Sequence, residues 1–263
     1  MSHVDSRFPS PVWQVLSVTV HLLGVSILAH YISRRVRFRD VKSLHGLRQI
    51  SWARFLTVLI FMDSWAFLFT GGILVHGTGM ETSHTNCAMG IFSCIAFYAT
   101  SKMFIWLFLA EKVHVVWSSP EGTPRFKSIP YILCVFLVMA YSAIGIHLCY
   151  ERLAYFDEDG SCVIGLKPVG SILLLSYDIF INLILTGLFL WPLVRARIQN
   201  LYLRKVARRA VLASIFTLIA SMVNVLSLTL VHGRELGWIC LASCGLDVIA
   251  NATVLFWVTS GSS

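Results

Sequence analysis

The sequence has little charge. Of its 263 residues, 13% are Asp, Glu, Lys or Arg, whereas 57% are hydrophobic. A water-soluble domain usually devotes about 25% of its residues to charge, so this chain lacks the polar surface that a soluble globule needs. The mean hydropathy is correspondingly high, at +0.75. These values argue against a soluble module and predict an integral membrane protein.

Several catalytic and nucleotide-binding motifs are missing. The nine histidines show neither HxxxH nor HExxH spacing, and there is no Walker motif or dinucleotide fingerprint. A seven-helix zinc hydrolase needs three histidines and a carboxylate around one ion. Four histidines lie in or beside apolar segments but are scattered among them, namely His21, His30, His114 and His147. We therefore expect neither an enzyme nor a metal site.

The formal net charge of +8 does not predict nucleic-acid binding. The basic residues lie in short connections between apolar segments, and no aromatic–basic RNA motif is present. Sixteen of the 21 Lys and Arg residues lie after the first, third and fifth apolar segments or at their ends. This bias fits the positive-inside rule and contact with anionic lipid headgroups. It predicts an N-terminus outside and a C-terminus in the cytoplasm. Residues 1–10 are polar and do not resemble a signal peptide.

Seven apolar segments approach or exceed the length needed to cross a hydrocarbon core of about 30 Å. Together they use the whole chain, which predicts one all-α domain, a seven-transmembrane-helix bundle over residues 1–263. The longest connection, residues 150–168, is net acidic and is expected to be a loop. The expected helices cover about residues 11–32, 51–75, 87–117, 129–149, 169–194, 210–231 and 238–259.

Polar side chains interrupt these apolar segments. Lys102 lies halfway along the third segment, where a charge is costly in lipid, so it must face protein or water and have a partner. Asp63, Asp178 and Asp247 lie at comparable depths and are the candidate partners. The expected buried polar network comprises Asp63, Ser101, Lys102, Asp178, Asn182, Asn224, Asp247 and Asn251.

This predicted interior contains three aspartates but only one lysine. The carboxylates beyond the ion pair would carry a proton or bind a cation such as sodium. Three interpretations follow: a network that only stabilises helix packing, a proton- or sodium-linked switch, and a transport path.

The seven cysteines are an odd number, so at least one lies outside any intramolecular disulfide. Cys87 opens the third segment and Cys162 lies in the acidic loop. Both face the outside in the expected topology, where a disulfide between them can form. Two free thiols, or pairing of Cys149 with either residue, are the alternatives. Most of the others lie in apolar segments and are interpreted as small hydrophobic residues.

This pattern resembles the rhodopsin-like G-protein-coupled receptors. In that family a cysteine at the outer end of helix 3 is bonded to one in the second outer loop, as expected here for Cys87 and Cys162. Glu111-Lys112 resembles the acidic–basic pair at the inner end of the same helix. The stretches SKMFIWLFLAEKVHVVW and DVIANATVLFW are also similar to fungal receptor-like integral membrane proteins. Further residues match polar positions of the receptor family, namely Asp63, Ser101, Asp247 and Asn251.

The resemblance implies a plasma-membrane receptor that binds an extracellular small molecule or peptide and signals to a heterotrimeric G protein. In such receptors an Asp–Ser–Asn cluster holds sodium, and Lys102 could replace that ion here. At the inner face, Glu111 could pair with a basic residue at the start of the sixth helix; ordinary interfacial placement is the alternative. This predicted cytoplasmic switch comprises Glu111, Lys112, Arg204, Lys205, Arg208 and Arg209.

The chain also departs from the receptor pattern. The basic residue after Glu111 is lysine where the family has arginine, and the sixth and seventh segments contain no proline. The seventh segment has no lysine, so retinal has no attachment point there. An ion- or proton-linked transporter and a protein that acts by lateral assembly, such as a homodimer, are therefore alternatives to a receptor.

Overall fold

Runs of apolar, helix-favouring residues form seven α-helices in the part of the chain that the computed structural model describes. The structure describes residues 8, 10–36, 52–117, 124–158, 160–195, 201–230 and 235–260; the side chains of 193–195, 201–207, 210, 227–230 and 235 lie outside that description. The helices are α1 Pro11–Arg35, α2 Trp52–Gly72, α3 His84–Trp117, α4 Ile129–Tyr150, α5 Pro168–Arg195, α6 Leu201–Leu230 and α7 Gly237–Ser260. A π-helical turn, Ile73–Thr78, extends α2, and a 3-10 turn, Arg125–Lys127, precedes α4.

The helices have the composition of membrane spans. All except α6 are long and apolar enough to cross a membrane, and α6 contains a shorter apolar stretch, Val211–Leu226. Large apolar side chains point away from the bundle, as shown by Val12 at 73% exposed and Phe136 at 68%. A helix satisfies its own backbone hydrogen bonds, so such a surface suits lipid. The chain is therefore a multi-pass, α-helical integral membrane protein.

Helix α3 lies at the centre of the bundle. It contacts α2, α4, α5 and α7. Half of the residues in its most apolar stretch are buried, compared with 22% in that of the peripheral α1. Trp106 of α3 is 1% exposed and packs edge-on against Tyr141 of α4, with ring centroids 4.5 Å apart. Because α3 is enclosed by protein, polar residues along it can find partners other than lipid.

The two ends of the bundle differ in structure. At one end, the sheet face, three short antiparallel strands pack in the order β1-β2-β3. Phe156 pairs with Cys162, and Val163 pairs with Leu236. The strands are β1 Arg152–Phe156, β2 Cys162–Leu166 and β3 Glu235–Leu236. The opposite end, the basic face, carries Arg34, Arg35, Arg54, Lys112, Arg125, Lys127, Arg208 and Arg209.

Two elements differ from the sequence-based expectation. The acidic segment 150–168 was expected to be a loop but forms a β-hairpin, because aromatic and β-branched residues such as Tyr155 and Val163 flank a turn with Gly160 at φ 75°. Helix α6 begins at Leu201, well before the expected start at residue 210. The basic residues before the apolar stretch favour helix as well, whereas hydropathy alone locates only the apolar stretch.

Candidate functional site: a polar interior between α3, α5, α6 and α7

A buried ion pair lies at the centre of the helix bundle. Lys102 Nζ on α3 is 3.2 Å from Asp178 Oδ1 and 3.3 Å from Oδ2 on α5. The two side chains are 5% and 3% exposed. Of the three candidate acids, Asp178 is therefore the one that pairs with Lys102. A lysine alone at the middle of a membrane costs about 2.5–3.5 kcal/mol on insertion scales, and this pairing offsets that cost.

Two further side chains complete the ion pair. The Lys102 ammonium donates a 2.5 Å hydrogen bond to Ser221 Oγ on α6. The amide of Asn182, one turn beyond Asp178 on α5, donates to Asp178 Oδ1 at 3.2 Å and to its backbone carbonyl at 2.8 Å. We call Lys102, Asp178, Asn182 and Ser221 the central junction. It joins α3, α5 and α6 through charge-assisted hydrogen bonds, which are stronger than neutral ones.

A second carboxylate lies beside the central junction. Asp247 on α7 is 4% exposed and close enough to Lys102 and Asp178 for their charges to act on it. Within the described residues, neither of its carboxylate oxygens has a hydrogen-bond partner. Ser221 faces it, but the Ser221 hydroxyl is donated to the Thr217 carbonyl at 2.8 Å. Two acids therefore share one lysine, and the second is suited to hold a proton or a cation.

A cavity of about 90 Å³ opens towards the basic face between α3, α5, α6 and α7. Lys112 and Thr259 line it near the basic face, and Thr217 and Asn251 line its inner end. Asn251 is 4% exposed, and its Oδ1 has no hydrogen-bond partner in the described part of the chain. Thr217 and Asn251 lie one helical turn from Ser221 and Asp247. The cavity therefore extends from the basic face towards the central junction and ends about one helical turn from Ser221.

The remaining members of the predicted polar network lie apart from the central junction. Asp63 on α2 accepts a 2.9 Å hydrogen bond from Thr100 Oγ1 of α3. Ser101 is buried at 3% exposed, next to Lys102 in the chain. Asn224 on α6 accepts a 2.9 Å hydrogen bond from Ser243 of α7. The polar residues thus form separate contacts between neighbouring helices.

Glu111 of the predicted cytoplasmic switch forms an ion pair near the basic face. Glu111 accepts three hydrogen bonds from Arg125, the shortest at 3.0 Å. Among the described side chains its ion-pair partner is Arg125, in the turn before α4, and not Arg208 or Arg209. The hydrogen bond to Glu111 raises the pKa of Arg125. Glu111 thus ties α3 to the α3–α4 connection. The hypothesis that it pairs with a basic residue at the start of α6 falls partly on Arg204 and Lys205, whose side chains lie outside the described residues.

The other predicted switch residues lie near this face. Lys112 Nζ lies 5.2 Å from the centre of the Phe108 ring, and the Arg209 guanidinium lies 5.4 Å from that of Trp257. Arg208 is exposed. The side chains of Arg204 and Lys205 lie outside the described residues. Lys112 and Arg209 thus have aromatic neighbours, an arrangement that suits snorkelling cations at a membrane interface.

The sheet face is joined to α3 by the predicted disulfide. Cys87 at the start of α3 is bonded to Cys162 at the start of β2, across 75 residues of sequence. Nearby, Lys167 Nζ lies 2.8 Å from Glu151 Oε2, and this hydrogen bond lowers the pKa of Glu151. The hairpin is thereby fixed over the end of the bundle, with Ile164 of β2 fully buried.

Sequence reasoning missed two features of the interior. It did not assign Ser221 to the Lys102 site, because a single serine on an apolar helix gives no signal of its own. It also interpreted Cys94, Cys240 and Cys244 as separate hydrophobic residues, although the structure brings their sulfur atoms together. The spacing of Cys240 and Cys244, one helical turn apart, was the available signal.

No family model, curated protein or solved structure matches this chain. The fold and the polar interior are therefore the basis for inferring a function.

Proposed function

We propose that the chain is a receptor-like sensor with seven membrane spans, lying in the plasma membrane. Its N-terminus and sheet face are extracellular, and its basic face is cytoplasmic, in accord with the positive-inside rule. A small molecule or peptide acts at the sheet face. The response passes through the bundle to a heterotrimeric G protein at the basic face.

One observation carries this proposal: the cavity that opens at the basic face ends one helical turn from Ser221 of the central junction. Ser221 joins the two, since its oxygen accepts from Lys102 and its hydroxyl donates to the carbonyl of Thr217, which lines the cavity. A displacement of α6 relative to α3 would break the Lys102–Ser221 hydrogen bond and widen the cavity. A partner that enters the cavity would favour the displaced state.

Such a sensor needs two states for which its ligand has different affinities. The intact junction defines a resting state, in which α3, α5 and α6 are joined. Because the disulfide and the sheet connect the helices at the sheet face, the helices can separate at the basic face. Agonist binding at the sheet face would shift the population towards the state with a broken junction.

Nucleotide exchange on a purified heterotrimeric G protein, with the full chain in nanodiscs, tests the proposal. We expect Ser221→Ala to raise basal exchange relative to the wild type, because the resting contact to Lys102 is lost. Ser26→Ala is the matched control, since the exposed Ser26 also donates to its own helix, at Leu22 O, but lies on α1. If neither the wild type nor Ser221→Ala alters exchange on any class of G protein, the signalling proposal is wrong.

A second candidate function, ion- or proton-linked transport, is favoured by Asp247 and Asn251. Both are buried with oxygens that lack hydrogen-bond partners in the described part, and Asn251 lines the cavity. Electrogenic flux in proteoliposomes that is lost in Asp247→Asn would favour transport. Exchange activity on a G protein without such flux would favour the sensor.

A further inference from the structure

Three buried thiols lie together between α3 and α7, on the sheet side of the central junction. Cys94 Sγ of α3 is 2.9 Å from Cys244 Sγ and 3.9 Å from Cys240 Sγ of α7. All three sulfur atoms lie within 4.8 Å of one another, and each residue is at most 5% exposed. We call these residues the thiol cluster. We propose that it is a binding site for a soft, thiophilic metal ion, monovalent copper.

The sulfur spacing agrees with a shared metal ion. An ion about 2.3 Å from each of three sulfur atoms holds those atoms roughly 3.8–4.0 Å apart. The Cys94–Cys240 distance already has this value, and Cys94 and Cys244 need to separate by about 1 Å. Cys240 and Cys244 lie one turn apart on α7, so their side chains share one face of that helix. A metal ion would cross-link this face to α3.

The ligand set favours monovalent copper over zinc. Thiolate ligands select soft ions, chiefly monovalent copper and zinc. A structural zinc site has four ligands, whereas the cluster found among the described residues supplies three, all of them sulfur.

A polar pair orients a donor towards the cluster. The Ser243 hydroxyl donates to Asn224 Oδ1 at 2.9 Å, which turns the Asn224 amide nitrogen towards Cys244 Sγ at 3.7 Å. An N–H group aimed at sulfur stabilises negative charge on a thiolate, as groups beyond the direct ligands do in metal sites. Asn224 is a positioning residue in this arrangement, not a ligand.

A cavity lies beside the thiol cluster. All three cysteines line one cavity of about 40 Å³, together with Tyr98 and Asn224. Gly165 and Leu166 of β2 line the same cavity. The cavity therefore extends from the thiol cluster to the underside of the sheet, and a metal site needs such an entry path.

Copper(I) titration of the reduced, full-length protein tests the proposal. The protein in nanodiscs is stripped with a chelator and titrated with copper(I) in competition with a chromogenic chelator. We expect one ion per chain, a sulfur-only coordination shell by X-ray absorption, and a raised melting temperature, since a ligand that binds only the folded state stabilises it. Cys94→Ser and Cys244→Ser should each abolish this binding.

Two further variants separate ligands from other residues. Cys134→Ala removes a fully buried cysteine on α4, away from the cluster, and should leave the binding unchanged. Asn224→Ala should lower the affinity by about 10- to 100-fold, as loss of an orienting group does at other metal sites. Elution as a single membrane-protein peak confirms that each variant is folded.

Four results would overturn the proposal. The reduced wild type could fail to bind copper(I), or the Cys94→Ser and Cys244→Ser proteins could bind it as tightly as the wild type. Zinc could displace copper(I) at equal concentrations. Mass spectrometry of freshly isolated protein could find a Cys94–Cys244 disulfide, which would make the cluster a redox pair. None of these measurements depends on signalling, so they stand apart from the test of the sensor.

Discussion

Lys102 of α3 and Asp178 of α5 form an ion pair with a 3.2 Å contact, and both side chains are at most 5% exposed. The other ion pairs among the described residues, Glu111–Arg125 and Glu151–Lys167, each include a side chain at least 30% exposed. Because breaking a buried pair leaves an uncompensated charge, we expect the Lys102 pair to dominate the effects of mutation.

Lys102→Met should destabilise the protein by about 3–5 kcal/mol, the usual cost of removing one partner of a buried pair. Lys102→Met combined with Asp178→Leu should recover much of this loss, since the charge of Asp178 is removed together with that of its partner and the neighbouring Asp247 can hold a proton. Thermal unfolding in nanodiscs measures both. Lys112→Met, which removes a lysine at the basic face, is the control and should have a small effect. Equal melting temperatures for the wild type and Lys102→Met would contradict the role of the pair.

Ser221→Ala should cost about 1–3 kcal/mol, because the buried Lys102 ammonium loses a hydrogen-bond acceptor. Ser26→Ala again provides the control, since both serines donate to the carbonyl four residues earlier. The difference between their melting temperatures isolates the contact with Lys102. Indistinguishable shifts would mean that the contact contributes nothing to stability.

Glu111→Gln should destabilise the α3–α4 connection, because Arg125 loses a carboxylate whose side chain is only 7% exposed. Faster proteolysis after Arg125 or Lys127 measures this loosening. Glu151→Gln is the matched control. In the wild type, the hydrogen bond from Lys167 lowers the pKa of Glu151. The pair therefore contributes to stability at pH values above the ordinary carboxyl pKa, and this contribution is lost as the pH falls through the lowered pKa. Since this pair lies at the surface, with Lys167 50% exposed, its loss should change stability little. Similar proteolysis of the wild type and Glu111→Gln would count against the contact.

Replacement of both disulfide cysteines, Cys87→Ser with Cys162→Ser, should lower stability by about 2–5 kcal/mol, because the bond closes a long loop. The hairpin should also become accessible to protease. Cys149→Ser, at the end of α4 and outside the disulfide, is the control. A double variant that is as resistant to heat and protease as the wild type would show that packing alone fixes the sheet.

Hydropathy predicted the helices well because the membrane imposes one simple requirement, a long apolar segment. The start of α6 was misplaced for the same reason, since Leu201 and the basic residues after it are helical without being apolar. The disulfide was predictable because Cys87 opens the third segment and Cys162 lies in the acidic loop, so that both face the same side in the expected topology. The strands were not expected, because residues 150–168 were interpreted only by their charge.

The site was harder to predict than the fold. Lys102 had three candidate partners, and the choice of Asp178 depends on how α3 and α5 are rotated about their axes, which segment hydropathy does not encode. Glu111 likewise pairs with Arg125, in a turn close to it in sequence, and not with Arg208 or Arg209. The thiol cluster combines residues about 150 positions apart in the chain, so its assembly follows only from the packing of α3 against α7.

The sheet links connections that are far apart in the chain. Strand β2 is bonded through Cys162 to the start of α3, and it pairs through Val163 with Leu236, the residue just before α7. Helices α3 and α7 are therefore joined through β2 at the sheet face. If α3 and α7 pivot about this joined end, a rotation of a few degrees produces its largest displacement at the opposite ends of the helices, where the arginines of the basic face lie.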